Sequence, residues 1–203
     1  MIDDHETPPT TDAPPTDPMD FELEPELPKW PKVVGITSIV LAGIGLGCGG
    51  CGIAMLLGGT EFFLKMAEQQ MGPAPSVMLP TLQQKVQGSI GFLWAVLLLI
   101  AGIQTLRRQY SGRLLHLAYG IGTIPLFIWG MKIQFDAMAA INQWAQANPD
   151  NLWAQQQNPI GQWIGLGIAV LLSLPWPLFC LGWFGLVKKK PEDFTGGLMV
   201  DQL

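Results

Sequence analysis

Cys48-Gly49-Gly50-Cys51 sets two reactive side chains at a spacing that can do chemistry. Three residues apart on a helix, the two sulfurs lie near one face. Such a pair could exchange electrons with a quinone or with a partner's disulfide. The setting opposes that use. Both cysteines lie in an apolar run, where structural thiols are inert and Cys serves as a small packing residue. The third, Cys180, lies near the opposite end of a later apolar run. Two sulfurs are too few for a metal site, so no metal and no other cofactor is expected.

His116 is the only imidazole inside an apolar run; His5 lies in a polar leader. An ionisable group at membrane depth is a functional hypothesis by default. His116, however, lies one turn from the end of its run, with Arg113 and Tyr119 near, so an interfacial, structural role is expected. In Leu174-Pro175-Trp176-Pro177 two prolines remove two backbone donors and should bend a helix. Broken helices line substrate sites in transporters, which makes Pro175, Trp176 and Pro177 a candidate pocket.

Gly43 and Gly47, and likewise Gly45 and Gly49, form small-xxx-small pairs, and Gly161, Gly165 and Ala169 repeat the spacing later. Small residues at this spacing let helix backbones approach closely in lipid. These glycines are therefore candidate helix-packing residues, either between the first and last apolar runs or toward another subunit. Gly45 to Gly50 also fits G-x-G-x-x-G, but that motif must follow a strand and open a helix at a phosphate site.

These residues sit in four apolar stretches, about 33–57, 88–106, 114–131 and 163–187. Even an 18-residue helix reaches ~27 Å, close to a hydrocarbon core of ~30 Å. Only 13% of the chain is charged, and none of the four stretches holds Asp or Glu. The expected fold is an all-α membrane protein, a four-helix transmembrane bundle. Its longer connections are expected to be partly helical, over 60–71 and 131–147, and to stop before Pro73 and at Asn148-Pro149. No internal repeat is evident.

The glycine-rich first stretch is similar to that of rotary ATP synthase ring subunits, which need a carboxylate in their second membrane helix. The Cys48–Cys51 pair in a four-helix protein resembles the disulfide-forming membrane oxidoreductases, which carry a second relay pair. The topology is similar to claudins and tetraspanins, which carry cysteines in an extracellular loop. This sequence lacks each of those defining features, and no family is recognised.

Residues 1–32 hold eight prolines and nine acids against two lysines, a net −7 in a chain of −5. They cannot bury enough apolar surface to order themselves, so a disordered acidic Pro-rich N-terminal tail is expected. Trp30 with Lys29 and Lys32 should mark the headgroup level at its end, the alternative being that Phe21, Leu23, Leu27 and Trp30 dock on a partner or the membrane surface. A 33–190 transmembrane domain and a short 191–203 C-terminal tail follow. No cleavable signal is expected, since about 32 polar residues precede the first apolar run. Eight Lys and Arg flank one side, including Arg107, Arg108 and Arg113, and three flank the other, so both termini should be cytoplasmic. A bacterial inner membrane is the expected location.

Without charges in the spans, proton relays and voltage sensing have no groups to use. No nucleophile elbow, phosphate loop or basic nucleic-acid footprint is present. The chain is therefore expected to be a non-enzymatic accessory, scaffold or assembly subunit, working in the lipid bilayer with a membrane-protein partner or as a homo-oligomer through the Gly-rich first helix. A small oligomeric transporter or channel is second, using the Pro-kinked fourth helix with Thr37, Ser38, Ser89, Gln104, Thr123 and Ser173 as polar lining. A thiol–disulfide oxidoreductase using Cys48 and Cys51 is third.

Overall fold

The computed structural model describes residues 27–188 and 190–195. Most of the acidic tail and of the C-terminal tail lie outside them. The described residues are helical with no strand. Helix α1 is Trp30–Ala54, with Pro31 in its first turn, where a missing N–H costs nothing. A π-helical turn, Met55–Gly59, leads into α2, Thr60–Met71, and non-helical backbone at Gly58 kinks the junction. Gly72, at φ +79°, ends α2 in a conformation suited to glycine.

Helix α3 is Leu82–Leu106 and opens with a capping box. Thr81 Oγ1 accepts from the Gln84 N–H, and the Gln84 side chain accepts from the Thr81 N–H at 2.7 Å. Helix α4, Ser111–Ala147, runs for 37 residues, far beyond the apolar 114–131, and stops at Asn148 before Pro149. A short α5, Leu152–Gln155, follows. The last apolar stretch is α6, Pro159–Ser173, then α7, Pro175–Gly182, then a π-helical turn, Trp183–Val187. The two prolines divide α6 from α7. A final turn, α8, covers Glu192–Thr195.

Four helical stretches are long and apolar enough to cross a membrane: Trp30–Met71, Ser76–Leu106, Ser111–Ala147 and Pro159–Val187. Their outer faces carry bare apolar side chains, with Leu171 72% and Leu172 78% exposed. Such a surface would be a liability in water and is the ordinary surface of a span in lipid.

Helix α1 packs along α3, α3 along α4, and α4 along α7. The α1–α3 seam is made of small residues. Gly35, Ser38, Ala42, Gly45 and Gly49 follow one another at spacings of three, four, three and four, the seam of a left-handed helix pair. A Cβ at Gly102 of α3 would stand 2.9 Å from Ser38 Cβ and 3.0 Å from Gly35 O, so the two backbones touch. Gly45 meets Ala95, and Gly49 meets Phe92.

Candidate functional sites

At the end where the described chain both begins and finishes, the four spans converge on a polar and aromatic core. His116 on α4 is fully buried. Its Nδ1–H donates to Gly112 O at 2.7 Å, and Nε2 lies 2.8 Å from Ser38 Oγ on α1. Thr105 Oγ1 stands 3.3 Å from Nδ1, and Phe184 stacks on the ring at 4.5 Å. A ring protonated at Nδ1 alone, accepting from the Ser38 hydroxyl, satisfies both short contacts. Protein encloses the imidazole on every side. Gly112 allows this: a Cβ there would press 2.7 Å from the Thr105 backbone N, so α3 and α4 close over the imidazole.

Below this core the segments that flank the first and last spans are tied together. Arg108 Nη2 donates to Pro28 O at 3.1 Å, and its Nη1 donates to Phe194 O at 3.3 Å. Trp30 Nε1 donates to Asp193 O at 3.2 Å. Phe194 is fully buried, with its ring 4.9 Å from Trp30 and 5.9 Å from Tyr110. Arg113 donates from Nε to Phe184 O at 2.9 Å and from Nη1 to Tyr110 Oη. Lys188 lies over the Trp30 ring and 3.8 Å from Asp193. Trp30 thus seats a terminal turn.

Arg108 holds this position at a conformational cost. Its φ of +59° is left-handed, rare for a residue with a side chain. It occupies the left-handed position of a Schellman motif closing α3: Arg108 N–H donates to Thr105 O, and Gln109 N–H donates to Gln104 O. Glycine is the usual residue there. An arginine there brings two guanidinium donors to Pro28 O and Phe194 O.

The candidate packing glycines divide. Gly45 and Gly49 lie in the α1–α3 seam. Gly43 and Gly47 lie off it, and a Cβ at either would meet nothing within 4 Å. Gly161 sits against Asn158, which caps its own helix, and Gly165 also faces open space. Among the described residues α6 makes no extensive contact with α1, so packing of the first span on the fourth through Gly161 and Gly165 is not observed. Closest approach instead uses Gly35, Gly102, Gly112 and Gly120.

Cys48 and Cys51 are exposed on the surface of α1, free of any disulfide, and Cys180 is buried in α7. No cluster of three potential metal ligands exists among the described residues. Pro177 packs against α4, where a Cβ at Gly120 would lie 3.1 Å from its carbonyl oxygen. Trp176 stacks on Phe179 at 5.0 Å.

Pro175, Trp176 and Pro177 are not among the residues that line the groove beside them. They set the bend above which it opens, a groove of about 510 Å³ between α4 and α6. On α4 it is lined by Phe127, Gly130, Met131 and Gln134, and on α6 by Gln162, Gly165, Leu166, Ala169 and Ser173. Gln87 of α3 completes it, its amide fitting where a Cβ at Gly130 would come within 2.8 Å. Gln162 Nε2 donates to Gln157 Oε1 at 3.3 Å, while Gln162 Oε1 is buried with no hydrogen-bond partner. No family model, curated protein or solved structure matches the chain. The reading of these sites rests on their own chemistry.

Proposed function

We propose that this protein is a non-enzymatic accessory, scaffold or assembly subunit of a membrane complex. The observation that carries the reading is the unused face of α1. One set of small residues is consumed by α3, while Gly43 and Gly47, at the same four-residue spacing, stay bare. A helix of a partner, or of a second copy, seated there would gain the close backbone contact that drives association in lipid. The positive-inside pattern supports cytoplasmic termini, with the acidic tail free to attract a basic partner. A bacterial inner membrane remains our proposed location.

The test is native mass spectrometry of the full chain gently extracted from its own membrane. A stoichiometric partner, lost in Gly43→Leu and Gly47→Leu, is the expected result. A monomer, or an assembly indifferent to both substitutions, overturns the reading. The second reading, a small oligomeric transporter or channel, draws on the bend at Pro175 and the groove above it. Flux through liposomes that Pro175→Ala abolishes is what it requires. Thiol exchange by Cys48 and Cys51 comes third, and an unchanged thiol state and phenotype in the double alanine variant removes it.

A further inference from the structure

We infer that the groove between α4 and α6 is a binding site for a neutral, hydroxyl-bearing lipid of the acylglycerol type, admitted sideways from the bilayer. The inference is independent of the proposed assembly role, which uses the other side of the protein's chemistry, the bare glycines of α1.

Three observations select the occupant. The first is size and shape. About 510 Å³ falls among small-molecule sites of ~300–1,000 Å³. The groove forms because the fourth span is in backbone contact with α4 at Gly120 but separated from it beyond the proline pair. Phe135 and Trp163 meet across the two helices at 5.9 Å near its loop end. Gly165, Ala169 and Ser173 are exposed, so the side toward lipid is open.

The second is charge. No ionisable side chain lines the groove. The nearby Lys132 on α4 is already paired with Asp136 at 3.1 Å, both out on the surface. A charged headgroup would enter without a counter-ion, which is costly at membrane depth.

The third is hydrogen bonding. Gln87, Gln134 and Gln162 bring three uncharged amides to the loop end of the groove, with Phe127, Leu166 and Ala169 farther along it. Gln162 lines the groove, and its Oε1, closed off without a partner, is an acceptor that a donor can satisfy once the amide turns toward the groove. A hydroxyl supplies that donor, and an ester carbonyl accepts from an amide N–H. An acyl chain fits the apolar remainder.

The experiment places the full chain in lipid nanodiscs with a monoacylglycerol carrying a photoreactive diazirine in its acyl chain. Two further probes keep the same chain, one as a methyl ester without hydroxyl and one under a phosphocholine head. Labelled peptides are mapped by mass spectrometry. The hydroxyl probe should label residues 127–134 and 162–173 about five- to tenfold more than either comparison probe, the effect of one hydrogen bond. Gln162→Leu, which keeps the groove's shape, should collapse that preference to parity while chain labelling persists. Ala169→Trp should abolish labelling of both segments, whereas Leu171→Trp, on an exposed face, should leave it unchanged.

Equal labelling by all three probes, or labels spread evenly over the lipid-facing helices, overturns the proposal. So does a Gln162→Leu variant with its preference intact. Cross-linking between copies through residue 169 would give the groove to a second chain and overturn it too.

Discussion

Ser38 Oγ and His116 Nε2 stand 2.8 Å apart, joining α1 to α4 across 78 residues of sequence. Both side chains are wholly buried, so the contact has no water to compete with it. It fixes where the first span sits relative to the third. Interhelical hydrogen bonds in membranes average about 0.6 kcal/mol and reach about 1.7. A double-mutant cycle on Ser38→Ala and His116→Ala, read by thermal denaturation in micelles, should give a coupling near the upper end of that range. Coupling indistinguishable from zero would mean that the pair merely coexists.

The two kinds of glycine on α1 and its neighbour should respond oppositely. Gly102→Leu drives a side chain into Ser38 and the Gly35 backbone, and overpacking of this kind costs about 1–3 kcal/mol. A Cβ at Gly43 meets nothing within 4 Å, so Gly43→Leu should leave the monomer no less stable, with up to about 1 kcal/mol gained in helix propensity. Melting of both variants in detergent, where partners are stripped away, decides the matter.

Arg108→Gly should produce two effects of opposite sign. Relief of the left-handed backbone is worth roughly 1 kcal/mol. The bonds to Pro28 O and Phe194 O disappear. Global melting should therefore change little, while hydrogen exchange at residues 190–195 accelerates at least as much as in Phe194→Ala. Protection of that turn in Arg108→Gly would show that ring packing alone seats it.

Replacing Pro175 and Pro177 by alanine restores two backbone donors to the fourth span. Straightening should draw α6 toward α4 and narrow the groove. Spin labels at Gln134 and Leu166 should report a shorter distance than in the unsubstituted chain. An unchanged distance would locate the cause of the splay elsewhere, in the Phe135–Trp163 contact for instance.

Length and hydropathy made the four spans legible, because a bilayer imposes both. The end of α4 at Asn148 was legible from Asn148-Pro149. The start of α3 was written in Thr81-x-x-Gln84, a capping-box pattern, yet hydropathy alone puts the span at Gly88. The α1 seam was also present in the sequence, but attention to glycine alone hides it: Ser38 and Ala42 are two of its five members. The burial of His116 is not legible in its own helix. Its burial depends on Gly112, Thr105 and Ser38, which only the packed helices bring together. The groove was still less accessible, since a proline pair announces a bend but not its direction, and Gln87, Gln134 and Gln162 lie far apart in the chain.

The bond from Arg108 to Phe194 has a consequence for the order of synthesis. Chains emerge N-terminus first, so Trp30 and Pro28 wait for their seat until the fourth span has been made and Phe194 follows it. A chain that stalled after α4, or threaded its last span the wrong way, would leave Trp30, Tyr110 and Arg108 uncovered on one face. Docking of this turn would then act as a latch that distinguishes a molecule whose fourth span is in place from one that stalled before it.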